Sequence, residues 1–232
     1  PLNPEVMKQW EDGTGLVIYD GYGQTETVLL VGNVRCNEVR PGSMGKPSPG
    51  FTIAVVDEQG NEAPTGEEGQ IAVKIKPERP VGLFQEYWRD SEAMERSFLG
   101  DWYLTGDKAF KDEDGYYWFV GRADDVIISA GYRIGPFEVE SALIEHPAVA
   151  ESAVVASPDP VRGDIVKAFV ILAPGYVPSD ELVVSLQDHV RSTTAPYKYP
   201  RAVEFVTELP KTVSGKIRRV ELRQQELEKG GG

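Results

Sequence analysis

Four stretches of the sequence place polar side chains beside glycines, a combination typical of loops that bind charged ligands. They are GYGQTET at 21–27, YLTGD ending at Asp107, GRADD containing Arg122, and PKTVSGKIRR at 210–219. The last one sets Lys216 next to a Ser-Gly turn, in a chain whose formal net charge is −13. Lys216 is therefore either a solvated surface lysine or a cation with a specific anionic target.

The first three stretches together offer the groups that a nucleotide requires. Tyr22 provides an aromatic face for a base, Thr25 a hydroxyl for phosphate, and Glu26 an oxygen ligand for Mg²⁺. Asp107, at a tight turn, can accept hydrogen bonds from two ribose hydroxyls. Arg122 can make a two-point contact with sugar or phosphate oxygens. The combination favours a nucleotide site built on loops.

Taken singly, each stretch also has an ordinary structural interpretation, and two familiar phosphate motifs are excluded. GYGQTE can be a polar loop, Asp107 a turn former and Arg122 a surface ion-pair partner. GYGQTE is not a dinucleotide fingerprint, because Glu26 stands at its third glycine position. SGKI is not a P-loop, since Pro210 and Ile217 replace the glycine and the Ser or Thr that this motif needs.

Composition excludes several other classes of protein. Hydrophobic residues make up 41% and charged residues 26% of the 232 residues, as in soluble globular proteins. The acidic balance argues against a nucleic-acid partner, and no apolar run approaches the ~20 residues of a membrane span. The one cysteine, Cys36, rules out a disulfide framework and is expected to be buried. With His146 and His189 it does not make a structural zinc site.

The elements that must position these residues change character along the chain. The first half is β-rich, and the second half alternates helices with strands. The first half is predicted to hold strands at 15–20, 51–57 and 70–76, a helix at 90–98 capped by Asp90 or Ser91, and a DEDG hairpin turn. The second half is predicted to hold a strand at 125–129, a helix at 136–146 with Pro136 at its first position, a helix at 179–193 capped by Ser179, and a final helix.

The four motifs, in this order, resemble those of the adenylate-forming superfamily, which includes acyl-CoA synthetases, firefly luciferases and peptide-synthetase adenylation domains. The resemblance covers roughly residues 16–223. PGSMGKPSPG, GLFQEYW, GRADDVI, SPDPVRGDIVKAFV and TAPYKYPR are further similar to the medium-chain acyl-CoA ligases. The resemblance implies ATP-dependent activation of a carboxylic acid as an acyl-adenylate, followed by transfer to CoA.

The resemblance assigns one group of residues to ATP and AMP and another to CoA. The ATP and AMP group is Gly21, Tyr22, Gly23, Gln24, Thr25, Glu26, Asp107, Arg122 and Lys216. The CoA group is Ala130, Gly131, Tyr132, Arg133 and Arg162.

Individual roles also follow from the resemblance. Tyr22 lies along the adenine, Thr25 contacts the α-phosphate and Glu26 is the Mg²⁺ ligand. Asp107 holds the ribose hydroxyls, and Arg122 contacts the ribose and phosphate side. The catalytic residue is Lys216, whose ammonium offsets the negative charge that develops when a carboxylate attacks the α-phosphate.

The implied fold is α+β, with a β-rich, distorted barrel-like subdomain followed by a small α+β lid domain. Residues 1–123 correspond to the C-terminal part of the large adenylation domain, and residues 124–232 to the lid. Asp124 corresponds to the hinge, a short link that absorbs the backbone change as the lid moves between the two half-reactions.

The family has a phosphate-gripping Ser/Thr/Gly-rich loop upstream of GYGQTE, and residues 1–19 contain no such loop. The chain is therefore expected to be the C-terminal portion of a ligase, inactive alone, with the N-terminal part of the same enzyme as its partner. Two alternatives remain: a non-catalytic interaction or regulatory fragment, and an adenylation domain that loads a carrier protein. The expected location is the cytoplasm, with the mitochondrial matrix as the alternative.

Gly23 bears on the substrate. Acetate-specific relatives carry a Trp at this position, where it fills the end of the acyl pocket. Glycine is expected to leave room for a small-to-medium chain acid.

Overall fold

Strand-forming runs and amphipathic helices build two separate units. The structure is a computed structural model that describes residues 2–213 and 215–230. Unit 1 spans Pro1–Asp124 and unit 2 spans Asp125–Gly232. Ser214, part of the Ser-Gly turn predicted beside Lys216, lies outside the described residues. The assignment of residues 1–123 and 124–232 to the family's large and lid domains stays a prediction.

Unit 1 is mostly sheet, and its paired strands are antiparallel. Its elements are α1 (Pro4–Thr14), β1 (Gly21–Gln24), β2 (Val28–Gly32), β3 (Ser43–Pro47), β4 (Ile53–Val56), β5 (Gly69–Lys74), α2 (Ser91–Arg96), β6 (Phe98–Leu99), β7 (Trp102–Lys111) and β8 (Tyr117–Arg122).

The sheet of unit 1 runs in the order β1-β2-β3-β8-β7-β5-β4, with β6 on β7. In the part of the chain that the structure describes, β1 and β4 are the two ends of this path and do not pair with each other. The expectation of a barrel-like subdomain is therefore corrected to an open sheet. The α+β class itself is confirmed.

The predicted strand at 15–20 is wrong, because this run has no partner strand. The β-structure begins at Gly21 instead, so GYGQ, which was expected to be a loop, forms β1 and pairs with β2. Leu16, Val17 and Tyr19 are exposed. Apolar residues favour a strand only where a neighbouring strand accepts their backbone hydrogen bonds.

Two further features of unit 1 differ from the sequence analysis. Helix α1 was not predicted, although Asn3 accepts a hydrogen bond from the Glu5 N–H at 2.8 Å and Pro4 stands at its first position. Cys36 is exposed rather than buried. It lies in a turn between β2 and β3, where the Asn37 N–H donates to the Val34 carbonyl at 2.9 Å, so its side chain has no core to enter.

Two predicted turn features of unit 1 are confirmed. Asp90 caps α2 by accepting a hydrogen bond from the Ala93 N–H at 2.9 Å. The DEDG segment forms the turn between β7 and β8, where Asp112 Oδ1 accepts from the N–H groups of Asp114 and Tyr116. This hairpin fixes the register that places Asp107 directly opposite Arg122.

Unit 2 is a three-layer arrangement of helices and one sheet. Its elements are β9 (Ile127–Ser129), β10 (Tyr132–Ile134), α3 (Pro136–Ile144), β11 (Val149–Asp159), β12 (Gly163–Leu172), α4 (Asp180–Thr193), a 3-10 turn (Pro196–Lys198), β13 (Ala202–Phe205) and α5 (Arg219–Gly230). The predicted helix starts at Pro136 and after Ser179 are confirmed, with Ser179 Oγ accepting from the Leu182 N–H.

The sheet of unit 2 runs in the order β10-β9-β12-β11, with β13 parallel to β12. Alternate residues of β11 and β12 point to opposite faces. Val154 and Val166 pack against α3 and α4, while Ala153 and Phe169 pack against Leu222 of α5. The two helical layers therefore hold the sheet from both sides, and α5 is fixed to it directly.

Among the described residues, no helix is both long and apolar enough to cross a membrane.

His146 is expected to make the stability of unit 2 sensitive to pH. Its ring is 5.4 Å from that of His189, and its Nε2 lies 3.1 Å from Ser185 Oγ. Burial, with a contribution from His189, lowers the pKa of His146 below its usual value. The unfolded chain then takes up a proton more readily than the folded one, so stability should fall as pH decreases through about 6.5.

Differential scanning calorimetry between about pH 7.5 and pH 5.5 tests this dependence. All four Trp residues lie in unit 1, so tryptophan fluorescence identifies which transition belongs to that unit. The transition of unit 2 should occur at lower temperature in acid, and His146→Gln should reduce the difference. An unchanged difference in that variant would assign the pH dependence to other groups.

Candidate functional site

The GYGQTE stretch forms the first strand and part of the turn of a β-hairpin, at the edge of the sheet in unit 1. β1 runs into a turn at residues 25–27, where the Thr27 N–H donates to the Gln24 carbonyl at 3.1 Å. The Gln24 N–H donates in turn to Thr27 Oγ1 at 3.0 Å. Thr27 is fully buried and Thr25 is exposed. The turn therefore presents the Thr25 hydroxyl to solvent, where a phosphate can reach it.

Asp107 of β7 is joined to this hairpin by two side-chain hydrogen bonds. Its Oδ2 accepts from the Tyr22 hydroxyl at 2.5 Å and from Gln24 Nε2 at 2.8 Å. No donor among the described residues bonds to Oδ1. Gln24 is held in place because Nε2 also donates to the Thr105 carbonyl, and the Tyr103 hydroxyl donates to Oε1 at 3.2 Å. The structure thus brings together residues from two of the four motifs.

Burial governs the ionisation of this cluster. It raises the pKa of Asp107, while hydrogen bonds from Tyr22 and Gln24 and the charge of Arg122 offset part of the effect. Burial and the neighbouring carboxylate raise the pKa of Tyr22 as well. Tyr22 therefore stays protonated, and its hydroxyl donates a hydrogen bond to Asp107. The result is a carboxylate with one oxygen occupied and the other able to accept a hydrogen bond.

Tyr22 and Arg122 contribute to the cluster in different ways. The Tyr22 ring is 9% exposed, and its centroid lies 6.5 Å from that of Phe119. The Arg122 side chain is exposed, and its Nε donates to Asp124 Oδ1 at 2.9 Å. The contacts of Tyr22 with adenine and of Arg122 with ribose and phosphate stay predictions.

Glu26 lies in the same turn and has a partner that the sequence analysis missed. The Tyr87 hydroxyl donates to Glu26 Oε1 at 3.0 Å, and the Phe84 N–H donates to the Glu26 carbonyl at 2.7 Å. Both partners belong to the GLFQEYW stretch, whose aromatic residues were the only available signal. Among the described residues, no group of three His, Cys, Asp or Glu could hold a metal ion. One oriented carboxylate does fit Mg²⁺ that is bound mainly by phosphates.

The glycines of the hairpin are explained by backbone packing. A Cβ at Gly23 would lie 1.8 Å from the Val28 carbonyl oxygen, and one at Gly21 would lie 2.7 Å from a methyl group of Leu29. Gly23 therefore allows the two strands of the hairpin to approach closely. The close approach of the strands is enough to explain why position 23 is glycine. The expectation that Gly23 leaves room in an acyl pocket, and with it the substrate size, stays a prediction.

The residues predicted to bind CoA lie on one hairpin of unit 2. Ala130 and Gly131 form the turn between β9 and β10, with φ of 49° and 85°. The Ala130 N–H donates to the Arg162 carbonyl at 3.0 Å, which places Arg162 beside this turn. Tyr132 is 53% exposed. The ring of Tyr132 stacks on Tyr197 at 4.3 Å.

Arg133, the last of the predicted CoA residues, is exposed on β10 next to Tyr132. The five CoA candidates therefore occupy one edge of unit 2. Their contacts with CoA stay predictions.

The described residues around Lys216 form a tight turn, here called the lysine turn (residues 210–213 and 215–218). The Thr212 N–H donates to the Lys216 carbonyl at 2.8 Å, and the Lys216 N–H donates to Thr212 Oγ1 at 3.1 Å. Lys211 and Ile217 form a β-bridge across it. The Lys216 side chain is exposed near the C-terminal end of this turn.

The charges around the lysine turn are not equivalent. Lys211 Nζ lies 2.7 Å from Glu151 Oε2, Arg218 is paired with Glu221, and Arg219 with Glu140. Among the described residues, no carboxylate lies within ion-pair distance of the Lys216 ammonium. Of the four cations in PKTVSGKIRR, Lys216 is thus the one that stays available for an anionic target.

Two family models match the chain. The AMP-binding enzyme model matches residues 1–88, and the AMP-binding enzyme C-terminal domain model matches residues 138–216.

Curated proteins that resemble the chain are named mitochondrial acyl-coenzyme A synthetases. The mitochondrial acyl-coenzyme A synthetase ACSM3 of Rattus norvegicus is 60% identical over 97% of this chain and 39% of its own length. The chain thus spans about two fifths of the curated relatives it matches.

Two solved structures share the fold over nearly the whole chain. The anthranilate CoA ligase AuaEII in complex with anthranoyl-AMP has a TM-score of 0.89 and 42% identity, covering 97% of this chain and 43% of its own. A benzoate CoA ligase from Burkholderia xenovorans has a TM-score of 0.84 and 37% identity, covering 96% of this chain and 43% of its own.

Proposed function

The chain belongs to the AMP-binding enzyme family, and from that membership we propose that it forms the C-terminal portion of an ATP-dependent, AMP-forming acyl-CoA synthetase. The oxygen of a carboxylic acid attacks the α-phosphorus of ATP, and the bond to pyrophosphate breaks. The thiol of CoA then attacks the acyl carbon, and AMP leaves with its bonding electrons. The proposed acid is small to medium in chain length.

The observation that carries this proposal is the Asp107 cluster. A buried carboxylate is held by Tyr22 and Gln24 so that one oxygen remains able to accept hydrogen bonds. Two vicinal hydroxyls of a ribose are donors of the kind that such an oxygen prefers. Thr25 and Arg122 lie on the adjoining turn and strand, where they serve the phosphates and the sugar. The cluster thus supports ATP and AMP as ligands.

Glu26 and Lys216 are assigned to the charge of the phosphates. Magnesium that accompanies ATP would be held by the Glu26 carboxylate and would neutralise phosphate charge. The hydrogen bond from Tyr87 orients this carboxylate. Lys216, the one unpaired cation among those of the lysine turn that the structure describes, supplies its ammonium to the α-phosphate as negative charge builds there.

The second half-reaction is assigned to the β9–β10 hairpin, with Ala130, Gly131, Tyr132, Arg133 and Arg162 contacting CoA. Asp124, at the junction of the two units, is the proposed hinge. The relatives named as mitochondrial favour a mitochondrial location over the cytoplasm.

The upstream part of the enzyme is the proposed partner of unit 1. The relatives extend well beyond the region matched here, and Leu16, Val17, Leu29 and Val34 expose apolar surface beside β1. Such a group of exposed apolar residues is typical of a surface that another segment covers. The isolated 232-residue chain is therefore expected to bind ligands weakly and not to complete the reaction.

Asp107→Asn tests the nucleotide assignment. In the full-length enzyme, the KM for ATP should rise by about tenfold or more, because a charged acceptor for the ribose is replaced by a neutral one. The KM for CoA should stay the same. Steady-state kinetics with each substrate varied in turn measure both values.

Asp101→Asn is the matched control, because Asp101 is an exposed carboxylate of the same unit, paired with Lys76 at 2.9 Å. It should leave both constants unchanged. An Asp107 variant that binds ATP normally would overturn the assignment. If the chain binds a protein partner while neither ATP nor CoA is detected by calorimetry, the interaction-fragment alternative is favoured.

A further inference from the structure

Helix α5 begins just after Lys216 and carries two arginines one turn apart that face buried carboxylates. Arg219 is paired with Glu140 of α3, and Arg223 is paired with Asp125, the first residue of unit 2. The carboxylate side chains of both acids are only 8% exposed. Spacing of four residues places the two arginines on the same face of the helix.

The contact between Arg219 and Glu140 is a two-point one. Arg219 Nε donates to Glu140 Oε1 at 2.9 Å, and Nη2 donates to Oε2 at 2.5 Å. The Val154 N–H also donates to Oε1 at 2.8 Å, so both oxygens are satisfied by groups from two other elements. Two parallel hydrogen bonds fix the orientation of a guanidinium as well as its distance. The start of α5 is therefore fixed relative to α3 and β11.

Buried ion pairs of this kind are not generally retained for stability. Removing a carboxylate and a guanidinium from water has a large free-energy cost, and packed apolar side chains of similar size are often as stable. A two-point ion pair does fix the relative geometry of its two partners. Arg219 lies three positions after Lys216. The geometry of its ion pair with Glu140 therefore determines the position of the segment that carries Lys216.

Besides Arg219, the lysine turn is restrained from outside by the ion pair of Lys211 with Glu151. It is exposed, and its inner hydrogen bonds join it mainly to itself, through Thr212 and Lys216. Ile217 packs at the margin of the core formed by Phe169 and Leu222. The direction in which the turn leaves unit 2 is thus set at its two ends, and Arg219 fixes the C-terminal one.

We propose that Glu140 and Arg219 are positioning residues for Lys216, an inference that rests on the proposed role of Lys216 in adenylation. The same pair also joins the lysine turn to α3, which follows the β9–β10 hairpin directly, and Arg223 joins α5 to Asp125. The lysine turn, the hairpin and the first residue after the proposed hinge are therefore parts of one rigid body. Any rotation at the hinge moves all of them together.

Hydrogen exchange of the 232-residue chain tests the positioning role without relying on activity. In Glu140→Gln, the backbone N–H groups of Thr212, Gly215 and Arg218, which are hydrogen-bonded within the turn, should exchange about tenfold faster. The reason is that the amide cannot hold the guanidinium by two charged bonds. Unchanged exchange at these positions would overturn the proposal.

Glu226→Gln is the matched control. Glu226 is 4% exposed and paired with Lys167 at 2.8 Å, so it is a buried carboxylate of the same unit. It lies toward the other end of α5, away from the lysine turn. It should leave exchange in the turn unchanged. Equal acceleration in both variants would show that Glu140 stabilises the unit in general and does not position the turn. If Glu140→Gln fails to fold, Arg219→Lys, which keeps the charge without the two-point contact, should still accelerate exchange in the turn, and unchanged exchange in that variant would overturn the proposal.

The half-reactions of the full-length enzyme provide the second readout. Glu140→Gln should slow acyl-adenylate formation by up to about 10²-fold, because a displacement of about 1 Å is enough for such a loss. Thioester formation from premade acyl-adenylate should keep its rate. Faster exchange together with normal adenylation would overturn the positioning role of Glu140 and Arg219, whereas the role of Lys216 itself is tested by Lys216→Ala, so the two failures can be told apart.

Discussion

Lys216→Ala in the full-length enzyme should slow acyl-adenylate formation by about 10²–10³-fold, the loss typical of one preorganised group that stabilises developing charge. A carboxylate that attacks the α-phosphorus brings one anion against another. An ammonium on a flexible stem neutralises the charge where it accumulates. Thioester formation from premade acyl-adenylate should be spared, since that step needs no such cation. Pyrophosphate release and the premade-adenylate assay measure the two steps separately.

Lys211→Ala is the appropriate control, because Lys211 belongs to the same turn but its ammonium is already paired with Glu151. Removing a partly exposed ion pair has a small effect, and adenylation should be nearly normal. Lys216→Arg should not restore the rate, since a planar guanidinium differs in shape and reach from an ammonium. Equal loss of both half-reactions in Lys216→Ala would contradict the assignment.

The sequence could identify Lys216 as a candidate, but it could not predict how the cations around it are paired. Glycine, serine and lysine in one short run indicate an exposed turn, and the resemblance supplies a role. The pairing of Lys211, Arg218 and Arg219 depends on Glu151, Glu221 and Glu140, two of which are more than 50 residues away in sequence. No local pattern indicates which of the four neighbouring cations has no carboxylate partner among the residues that the structure describes.

The Asp107 cluster shows the same limit. The motifs GYGQTE and YLTGD were recognised separately, and each was assigned a ligand contact. That Gln24 and Tyr22 would both bond to Asp107 Oδ2 depends on β1 and β7 lying within the same sheet, several strands apart in its order. Local propensity places strands within a chain, but the packing of side chains between them requires the complete fold.

The helix starts at Pro136 and after Ser179 and the strands at 51–57 and 70–76 were predicted in the right places, whereas the strand at 15–20, which has no partner, was not found. Pro136 and Ser179 mark the starts of α3 and α4, because proline and serine satisfy the first turn of a helix locally. The run at 15–20 has the composition of a strand, yet β1 begins at Gly21. Glycine has no strand propensity of its own, so only the pairing with β2 explains this position.

Gly23→Ala should destabilise unit 1 by about 3 kcal/mol or more, at the upper end of what overpacking produces. Its Cβ would lie 1.8 Å from the Val28 carbonyl oxygen and 2.7 Å from the adjoining carbon, and backbone atoms cannot move aside as side chains do. The four Trp residues all lie in unit 1. Urea unfolding followed by tryptophan fluorescence therefore reports on this unit alone.

Gly13→Ala is the matched control, because a Cβ at Gly13 of α1 would meet no atom within 4 Å. The same substitution in a helix should stabilise the unit by about 0.5–1 kcal/mol, so the two variants should shift the urea midpoint in opposite directions. A stable Gly23→Ala protein would show that the hairpin has room for a side chain. In that case Gly23 could still be explained by the size of the acyl pocket. A destabilised Gly23→Ala protein would show that the hairpin itself requires glycine, whatever acid the enzyme binds.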